Sequence, residues 1–140
     1  MYVVIAGCGR VGSGIAKVLV AEGHDVTVID ENADSFELLG DDFAGQFVTG
    51  AALDWDVLKE AGIEGADAFV AVTDGDNTNI VCAQIAQKRF KVTCSVSRVY
   101  DPARAELFAG TGLRTVCPTR DARSLLLEAV HSCQLPQREG

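Results

Sequence analysis

A glycine-rich segment near the start of the chain has the residue types and spacing of a phosphate-binding loop. In "GCGRVG" (7–12), three glycines follow the apolar run "YVVIA" (2–6) and open an amphipathic pattern. Gly7 permits a tight turn, Gly9 lets the backbone approach a pyrophosphate, and Gly12 lets the following helix pack closely on the strand. The helix N-terminus then presents free N–H groups and a partial positive charge to phosphate oxygens. The segment predicts a nucleotide site; the alternative is a tight turn that binds nothing.

Two acidic residues at the end of the next apolar run indicate which nucleotide such a site accepts. Asp30 closes "DVTVID" (25–30), eighteen residues after Gly12, where a carboxylate accepts hydrogen bonds from ribose hydroxyls. Glu31 doubles the negative charge at the position that a 2′-phosphate would occupy, and no arginine replaces it. We therefore expect NAD(H) or an adenine mononucleotide such as ATP or ADP, with NADP(H) disfavoured.

Arg10 stands between the second and third glycines, a position that many dehydrogenases fill with an apolar residue. A guanidinium there lies at the mouth of the helix and can pair with phosphates bound to its own subunit or to an adjacent one. The alternative is an arginine that is simply solvated. The residue is therefore a candidate phosphate ligand.

Composition restricts the partners of the chain. Its 140 residues carry a formal net charge of −8, and the isoelectric point is near 4.6. Nucleic acid and an anionic membrane surface are disfavoured as main partners. No apolar run approaches the ~18–20 residues that cross a bilayer, and no secretory signal pattern is recognisable. We expect a cytoplasmic protein without direct membrane insertion.

The glycine loop belongs to a regular alternation of elements. Apolar runs rich in Val, Ile, Thr and Phe predict buried parallel strands. They cover 2–7, 25–30, 46–50, 67–73, 91–97 and 114–118, with helical patterns between them at 11–22, 32–40, 54–61, 77–89 and 102–110. This alternation predicts a Rossmann-like α/β fold with a doubly wound, parallel six-stranded sheet of order 3-2-1-4-5-6 and a C-terminal helix. The ligand crevice then lies at the carboxyl ends of strands 1 and 4.

A further helical pattern, residues 119–133, follows the sixth strand and carries "LLLEAV" (125–130). A helix this apolar must pack on something, either its own sheet or another subunit. We expect residues 1–118 to form the nucleotide-binding domain and residues 119–140 to form a crossing or interface helix with a polar tail. No second regulatory domain is expected.

Other residues with chemical potential give weaker signals. "TDGDN" (73–77) offers hydroxyl, amide and carboxylate oxygens that suit Mg²⁺, but Asp76 or Asn77 as the cap of the next helix is the favoured interpretation. The five cysteines lack metal-binding spacing and are expected to be reduced and mostly buried. His24 and His131 lie far from the glycine turn. No catalytic residue and no metal site are predicted.

Longer segments carry a pattern more specific than the glycines. They are "GCGRVGSGIAKVL" (7–19), "VTVIDEN" (26–32), residues 48–86 with "LKEAGIEGADAFVAVT", and "SRVYDPARAELFAGTGLRTVCP" (97–118). On these segments nearly the whole chain resembles the RCK/KTN, or TrkA-N type, domain of Trk and Ktr potassium-uptake regulatory subunits. The resemblance implies a regulatory domain that binds NAD(H), ATP or ADP, forms a homodimer or higher ring, and gates a membrane potassium transporter or channel. It would lie at the inner face of the membrane through that partner.

The same resemblance implies the individual binding residues. Those at the phosphates are Gly7, Gly9, Arg10, Val11 and Gly12, with Asp30 at the ribose. Glu31 is added to the predicted site by the charge argument above. Gly50, Ala51 and Ala52 are implied along the adenine edge, Thr73 and Asp74 at the crevice, and Arg98 at the site or at a subunit contact. The family's usual "GDA" appears here as "GAA" (50–52), which leaves the choice between NAD and ATP open.

Three functions remain after the sequence alone. The first is a ligand-sensing regulator, in which nucleotide binding shifts the arrangement of subunits. The second is an isolated NAD-binding domain of a dehydrogenase, which would need a substrate pocket and a general acid or base supplied from elsewhere. The third is an interaction module in which the nucleotide is only structural. Nucleotide titration followed by a search for turnover discriminates them.

Overall fold

The computed structural model describes residues 1–137, which contain a six-stranded parallel sheet of order β3-β2-β1-β4-β5-β6. The strands are β1 (Tyr2–Ala6), β2 (Asp25–Asp30), β3 (Gln46–Thr49), β4 (Ala68–Ala71), β5 (Cys94–Arg98) and β6 (Arg114–Val116). All five neighbouring pairs run parallel. The predicted fold class and strand order are confirmed.

Within residues 1–137, five α-helices connect or follow these strands. They are α1 (Arg10–Ala21), α2 (Trp55–Glu60), α3 (Asp76–Gln84), α4 (Pro102–Ala109) and α5 (Pro118–His131). α3 continues as a π-helical turn over Ile85–Arg89, and a short 3₁₀ turn covers Ile63–Gly65. Side chains cap two of the helices: the carboxylates of Asp54 and Asp101 accept from the N–H groups of Asp56 (2.9 Å) and Ala103 (3.1 Å).

Two predicted elements differ in the structure. The helical pattern at 32–40 forms a 3₁₀ helix, Ala33–Leu39, because the buried Phe36 and Leu39 are three residues apart and three residues per turn place both toward the sheet. The fifth strand begins at Cys94 rather than residue 91. Lys91 adopts a φ of 59°, in the left-handed region, and this interrupts the extended run.

The sheet separates the two larger apolar clusters, as expected from the alternation of side chains along each strand. Phe69 packs with Leu58 and Ile63 on the face covered by α2 and α3. Ile5 and Val28 pack with α1 and the 3₁₀ helix on the opposite face. Each fully buried side chain of this size contributes roughly 1.5–3 kcal/mol of hydrophobic stabilisation. The carboxyl edge of the sheet is therefore held by apolar packing on both faces.

α5 does not dock on the sheet of its own chain. None of its residues is buried, and Leu125 and Leu126 are 66% and 67% exposed. Of the two packing partners that the sequence left open, the chain's own sheet is therefore not the one that buries α5. A division of the chain near residue 118 stays a prediction, and the last three residues of the expected tail (138–140) lie outside the described residues. None of the described helices has the length and apolarity required to cross a membrane.

Candidate functional site

An open cleft of about 420 Å³ lies at the carboxyl edge of the sheet, beside the ends of β1, β2 and β4. Its position is the one predicted from the strand order. Eight of the thirteen residues expected at the site line it: Gly7, Gly9, Asp30, Glu31, Gly50, Ala52, Thr73 and Asp74. The structure thus brings together residues from four separate parts of the chain.

The three glycines of the loop differ in what surrounds them. Gly7 has a φ of +109°, and a Cβ there would lie 2.5 Å from the carbonyl oxygen of Val72. A Cβ at Gly12 would lie 1.9 Å from the carbonyl oxygen of Gly7, so helix and strand approach too closely for any side chain. Gly9 instead has no atom within 4 Å of that position. Gly7 and Gly12 serve packing, whereas Gly9 leaves space at the cleft.

Asp30 holds the glycine loop in addition to facing the cleft. One carboxylate oxygen accepts from the N–H of Cys8 and the other accepts from the N–H of Asn32, both at 2.8 Å. A carboxylate has about four acceptor sites, so each oxygen retains capacity for a ribose hydroxyl. The acid that ends β2 therefore positions the phosphate loop while remaining able to bind a sugar.

The cleft contains acidic residues but no lysine or arginine among the residues that line it. Asp30, Glu31 and Asp74 all contribute negative charge. Phosphates would therefore have to be bound by backbone N–H groups and by the positive end of the α1 dipole. Arg10, the exposed first residue of α1, lies at that end of the helix.

Five predicted residues do not line the cleft: Arg10, Val11, Gly12, Ala51 and Arg98. Val11 is 48% exposed and lines a second, apolar groove of about 250 Å³ on the sheet face beside α1. Val70, Val96 and Val116 of three adjacent strands line the same groove, which will be called the apolar groove. A residue of the glycine motif thus faces a different surface from its neighbours.

Arg98 lies behind the cleft wall. Its Nη2 donates to the carbonyl oxygens of Val72 (3.2 Å) and Thr73 (3.0 Å). Its guanidinium carbon lies 4.7 Å from the ring centroid of Tyr100, in cation–π contact, and both side chains line the apolar groove. Nε is buried without a hydrogen-bond partner among residues 1–137. Arg98 therefore joins the cleft wall to the groove.

Asn79 is a functional candidate that the sequence argument missed. It is fully buried; its Oδ1 accepts from the N–H (2.8 Å) and hydroxyl (2.6 Å) of Thr73. Its Nδ2 donates to the carbonyl oxygens of Thr73 (3.0 Å) and Arg98 (3.1 Å). An asparagine at the start of the apolar run "NIVCA" (79–83) was the available signal. Ser35 and Thr78, which line the cleft, were also missed.

The predicted cap of α3 is corrected by the structure. Gly75 is the N-cap residue and makes no side-chain cap. The carboxylate of Asp76 instead accepts from the N–H groups of Tyr100 (2.8 Å) and Asp101 (3.0 Å), while Asn77 Oδ1 accepts from Arg104 Nη1 (2.6 Å). Within the described part of the chain no three His, Cys, Asp or Glu residues are grouped to hold a metal ion.

The thiol beside the glycine loop is not poised as a nucleophile. Burial, followed by the negative charge of Asp30, raises the pKa of Cys8 to about 11. Burial likewise raises the pKa of Cys82 to about 12. Both remain neutral thiols at physiological pH, and a neutral thiol is a poor nucleophile. Of the five cysteines, only Cys133, just after α5, is exposed.

The fold and the cleft define a Rossmann-like α/β domain with an open ligand crevice at the carboxyl edge of its sheet. The family model of the TrkA-N domain matches residues 3–118. The chain belongs to the TrkA-N domain family.

Curated relatives carry one consistent name. The chain is 50% identical over 120 residues to the Trk system potassium uptake protein TrkA of Streptomyces coelicolor, covering 86% of this chain and 54% of the relative. It is 35% identical over 108 residues to a TrkA homolog of Pyrococcus abyssi, covering 77% of this chain and 48% of that protein. The chain therefore spans about half the length of these relatives.

Solved structures support the fold independently. The TrkA-N domain of the inner membrane protein ybaL from Escherichia coli superposes with a TM-score of 0.79 at 19% identity, covering 92% of this chain and 96% of that one. The Kef C-terminal domain of Shewanella denitrificans in AMP-bound form gives a TM-score of 0.76 at 23% identity, covering 94% and 80%. At these identities the likeness shows a common fold.

Proposed function

We propose that this chain is the nucleotide-binding regulatory domain of a Trk-type potassium uptake system. A nucleotide in the cleft would control a membrane potassium-transport subunit through a change in how the regulatory domains are arranged. The observation that carries the proposal is the open space at Gly9, directly in front of the α1 N-terminus and beside Asp30. The TrkA names of the curated relatives supply the potassium-transport context.

The proposed ligand is NAD(H) or an adenine nucleotide such as ATP or ADP. Its phosphates would bind the N–H groups at the start of α1, its ribose Asp30, and its adenine the edge formed by Gly50 and Ala52. Support comes from channels of the same fold: GsuK has been solved bound to NAD and bound to ADP, with TM-scores of 0.69 and 0.71 at 20% and 21% identity. Asp30 and Glu31 would repel a 2′-phosphate, so NADP(H) should bind more weakly.

The proposed assembly is a homodimer or a higher ring of this chain. α5 presents Leu125, Leu126 and Val130 to solvent, and the valines of the apolar groove are incompletely covered. Both surfaces would gain roughly 25 cal/mol for each Å² of apolar area removed from water. A second copy that covered them would make α5 the contact between subunits.

Binding without catalysis is favoured over a dehydrogenase function. Hydride transfer usually needs a proton donor or acceptor beside the nicotinamide. His24 precedes β2 at the amino edge of the sheet, opposite the cleft, and His131 ends α5. Cys8 is held as a neutral thiol. Neither histidine lines the cleft of the described chain, so a regulatory function is proposed.

Isothermal titration with NADH, NADPH, ATP and ADP, followed by a search for cofactor consumption, tests the proposal. We expect binding of NADH or of ATP and ADP, and about tenfold or more weaker binding of NADPH, which corresponds to about 1.4 kcal/mol. Absence of binding by all four nucleotides, or steady oxidation of NADH with a small substrate, would contradict a regulatory nucleotide site. Light scattering with and without nucleotide tests the proposed assembly.

A further inference from the structure

The loop that forms the β4 side of the cleft is tied to the segment that follows β5. Asn79 connects the two by donating to the carbonyl oxygens of both Thr73 and Arg98. Arg98 in turn donates a hydrogen bond to the carbonyl oxygen of Thr73, in the cleft wall, at 3.0 Å. Because Thr73 lines the cleft, a ligand there contacts one end of this network.

Asp76 makes a second connection, between the first turn of α3 and the segment that follows β5. It lies in the first turn of α3, and its two carboxylate oxygens accept separately from the N–H groups of Tyr100 and Asp101. Hydrogen bonds to an ionised acceptor are stronger than neutral ones, and two of them on successive residues restrain both position and orientation. Asp76 does not line the cleft, whereas the adjacent Gly75 and Asp74 do.

The segment held by Asp76 leads directly to the start of α5. The N–H of Val99 donates to the carbonyl oxygen of Val116 at 2.9 Å, and the thiol of Cys117 donates to the carbonyl oxygen of Tyr100 at 3.5 Å. Pro118, the first residue of α5, lines the apolar groove together with Tyr100. The backbone around Tyr100 therefore supports the base of α5.

We propose that Asp76 is a positioning residue that couples nucleotide occupancy of the cleft to the orientation of α5. It does so by holding the Tyr100–Asp101 backbone to the first turn of α3. The inference rests on the proposed nucleotide-binding function and names the route by which that function reaches the subunit contact. A nucleotide that contacts Asp74 and Gly75 shifts the first turn of α3, and the carboxylate transmits the shift toward Pro118. Such coupling requires only that nucleotide bind two arrangements with different affinity.

A substitution of Asp76 tests coupling separately from nucleotide binding better than a substitution of Arg98 or Asn79 does. Arg98 and Asn79 hold Thr73, so that their removal alters the cleft wall itself. Within residues 1–137, the Asp76 carboxylate bonds only to backbone N–H groups of the next loop. Removal of its carboxylate should leave the nucleotide contacts in place while the following segment loses its restraint.

Hydrogen exchange of the chain with and without ADP or NAD⁺, read by mass spectrometry, tests this inference. In the parent chain we expect nucleotide to slow exchange in residues 98–104 and 118–131 by about fivefold or more, in the range of ordinary allosteric coupling. In Asp76→Ala, nucleotide should no longer slow exchange in residues 118–131, so the ratio of the exchange rates without and with nucleotide should be about one. The nucleotide Kd should stay within about threefold, as for sites without shared ligand contacts. Asp76→Asn keeps one acceptor oxygen and should retain part of the slowing.

The matched control is Asp67→Ala. Asp67 also accepts a backbone hydrogen bond across elements, from the N–H of Tyr2 at 2.7 Å, but it lies at the amino edge of the sheet. This variant should retain the full slowing at 118–131, although it loses a comparable carboxylate. Stability changes shared by both variants are thereby separated from coupling.

The outcomes distinguish the inference from the function on which it rests. Slowing at 118–131 in Asp76→Ala equal to that in the parent chain overturns the coupling role and leaves the nucleotide site intact. Nucleotide binding to the parent chain without any change at 118–131 does the same. If neither ADP nor NAD⁺ binds the parent chain, both proposals are overturned. If Asp76→Ala does not fold, undiminished slowing in Asp76→Asn overturns the inference.

Discussion

The cleft and the apolar groove both have Val72 in their lining, but their other lining residues differ in chemistry. The cleft is bordered by glycines, carboxylates and hydroxyls at the carboxyl edge of the sheet. The groove is bordered mainly by valines on the sheet face, with the guanidinium of Arg98 as its charged group. At the carboxyl edge, the loops and helix N-termini that follow the strands expose backbone N–H groups and polar side chains, whereas a sheet face exposes every second side chain of each strand. The first suits a small anion, and the second suits an apolar protein surface.

The largest effect is expected where the cleft depends on packing rather than on ligand contact. Gly12→Ala should lower the free energy of unfolding by about 3 kcal/mol or more, because its Cβ would meet the Gly7 carbonyl at 1.9 Å. Urea denaturation measures the change. Gly14→Ala is the control, since it lies in the same helix with no atom within 4 Å and should stabilise by about 0.5–1 kcal/mol. Equal stability of the two variants would remove the packing argument.

A substitution at Gly9 separates binding from folding. Gly9 has a φ of −82°, which alanine adopts freely, and a Cβ there projects into open space. Gly9→Ala should therefore unfold like the parent chain but bind ADP and NAD⁺ about a hundredfold more weakly, roughly 2.7 kcal/mol, because the methyl group occupies the path of the phosphates. Calorimetric titration measures the affinity. Unchanged affinity would mean that phosphates do not approach Gly9.

A charge introduced on α5 tests the proposed apolar contact between subunits. Leu126→Glu should weaken self-association about tenfold, since burial of a carboxylate in an apolar contact costs more than the loss of the leucine. Sedimentation velocity across a concentration series provides the measurement. Leu107→Glu on α4 is a matched control, because Leu107 is similarly exposed at 70%. Equal weakening by both variants would argue against α5 as the contact.

The smallest effects concern two thiols, that of Cys8 beside the cleft and that of Cys133 just after α5. The folded-state pKa of Cys8 is raised to about 11 from an ordinary value of 9.0, so the fold favours the neutral thiol. Its contribution to stability is complete below pH 9 and is lost as pH rises from 9 toward 11. Urea denaturation at pH 8 and pH 10.5 should show the decrease. At pH 8, Cys133 should react with Ellman's reagent before Cys8, and the reverse order would contradict the burial of the cleft-side thiol.

Sequence reasoning located the cleft accurately because its main determinants are local. The glycine spacing specifies a turn between one strand and one helix, and Asp30 ends the adjacent strand. Residues at the ends of elements were harder. Asp76 follows a turn in a position typical of a helix cap, but its carboxylate turns toward the N–H groups of Tyr100 and Asp101, more than twenty residues away. No local pattern specifies that partner.

The same contrast applies to the last helix. Its apolar residues predicted a buried contact, and the pattern was compatible with either the chain's own sheet or another subunit as the packing partner. Only the folded structure shows that α5 does not pack into the chain's own core, since none of its residues is buried. Likewise, the direction of Val11 toward the groove depends on how α1 crosses the sheet.

By itself, the sequence determined the α/β class, the strand order, and the glycine loop with its acid, because periodicity and short-range spacing encode them. Tertiary structure alone decided that Arg98 supports the cleft wall, that Asn79 and Asp76 connect two loops, and that α5 stays exposed. These features depend on side-chain directions and on contacts between segments distant in the chain, which arise only when the strands come together in one sheet.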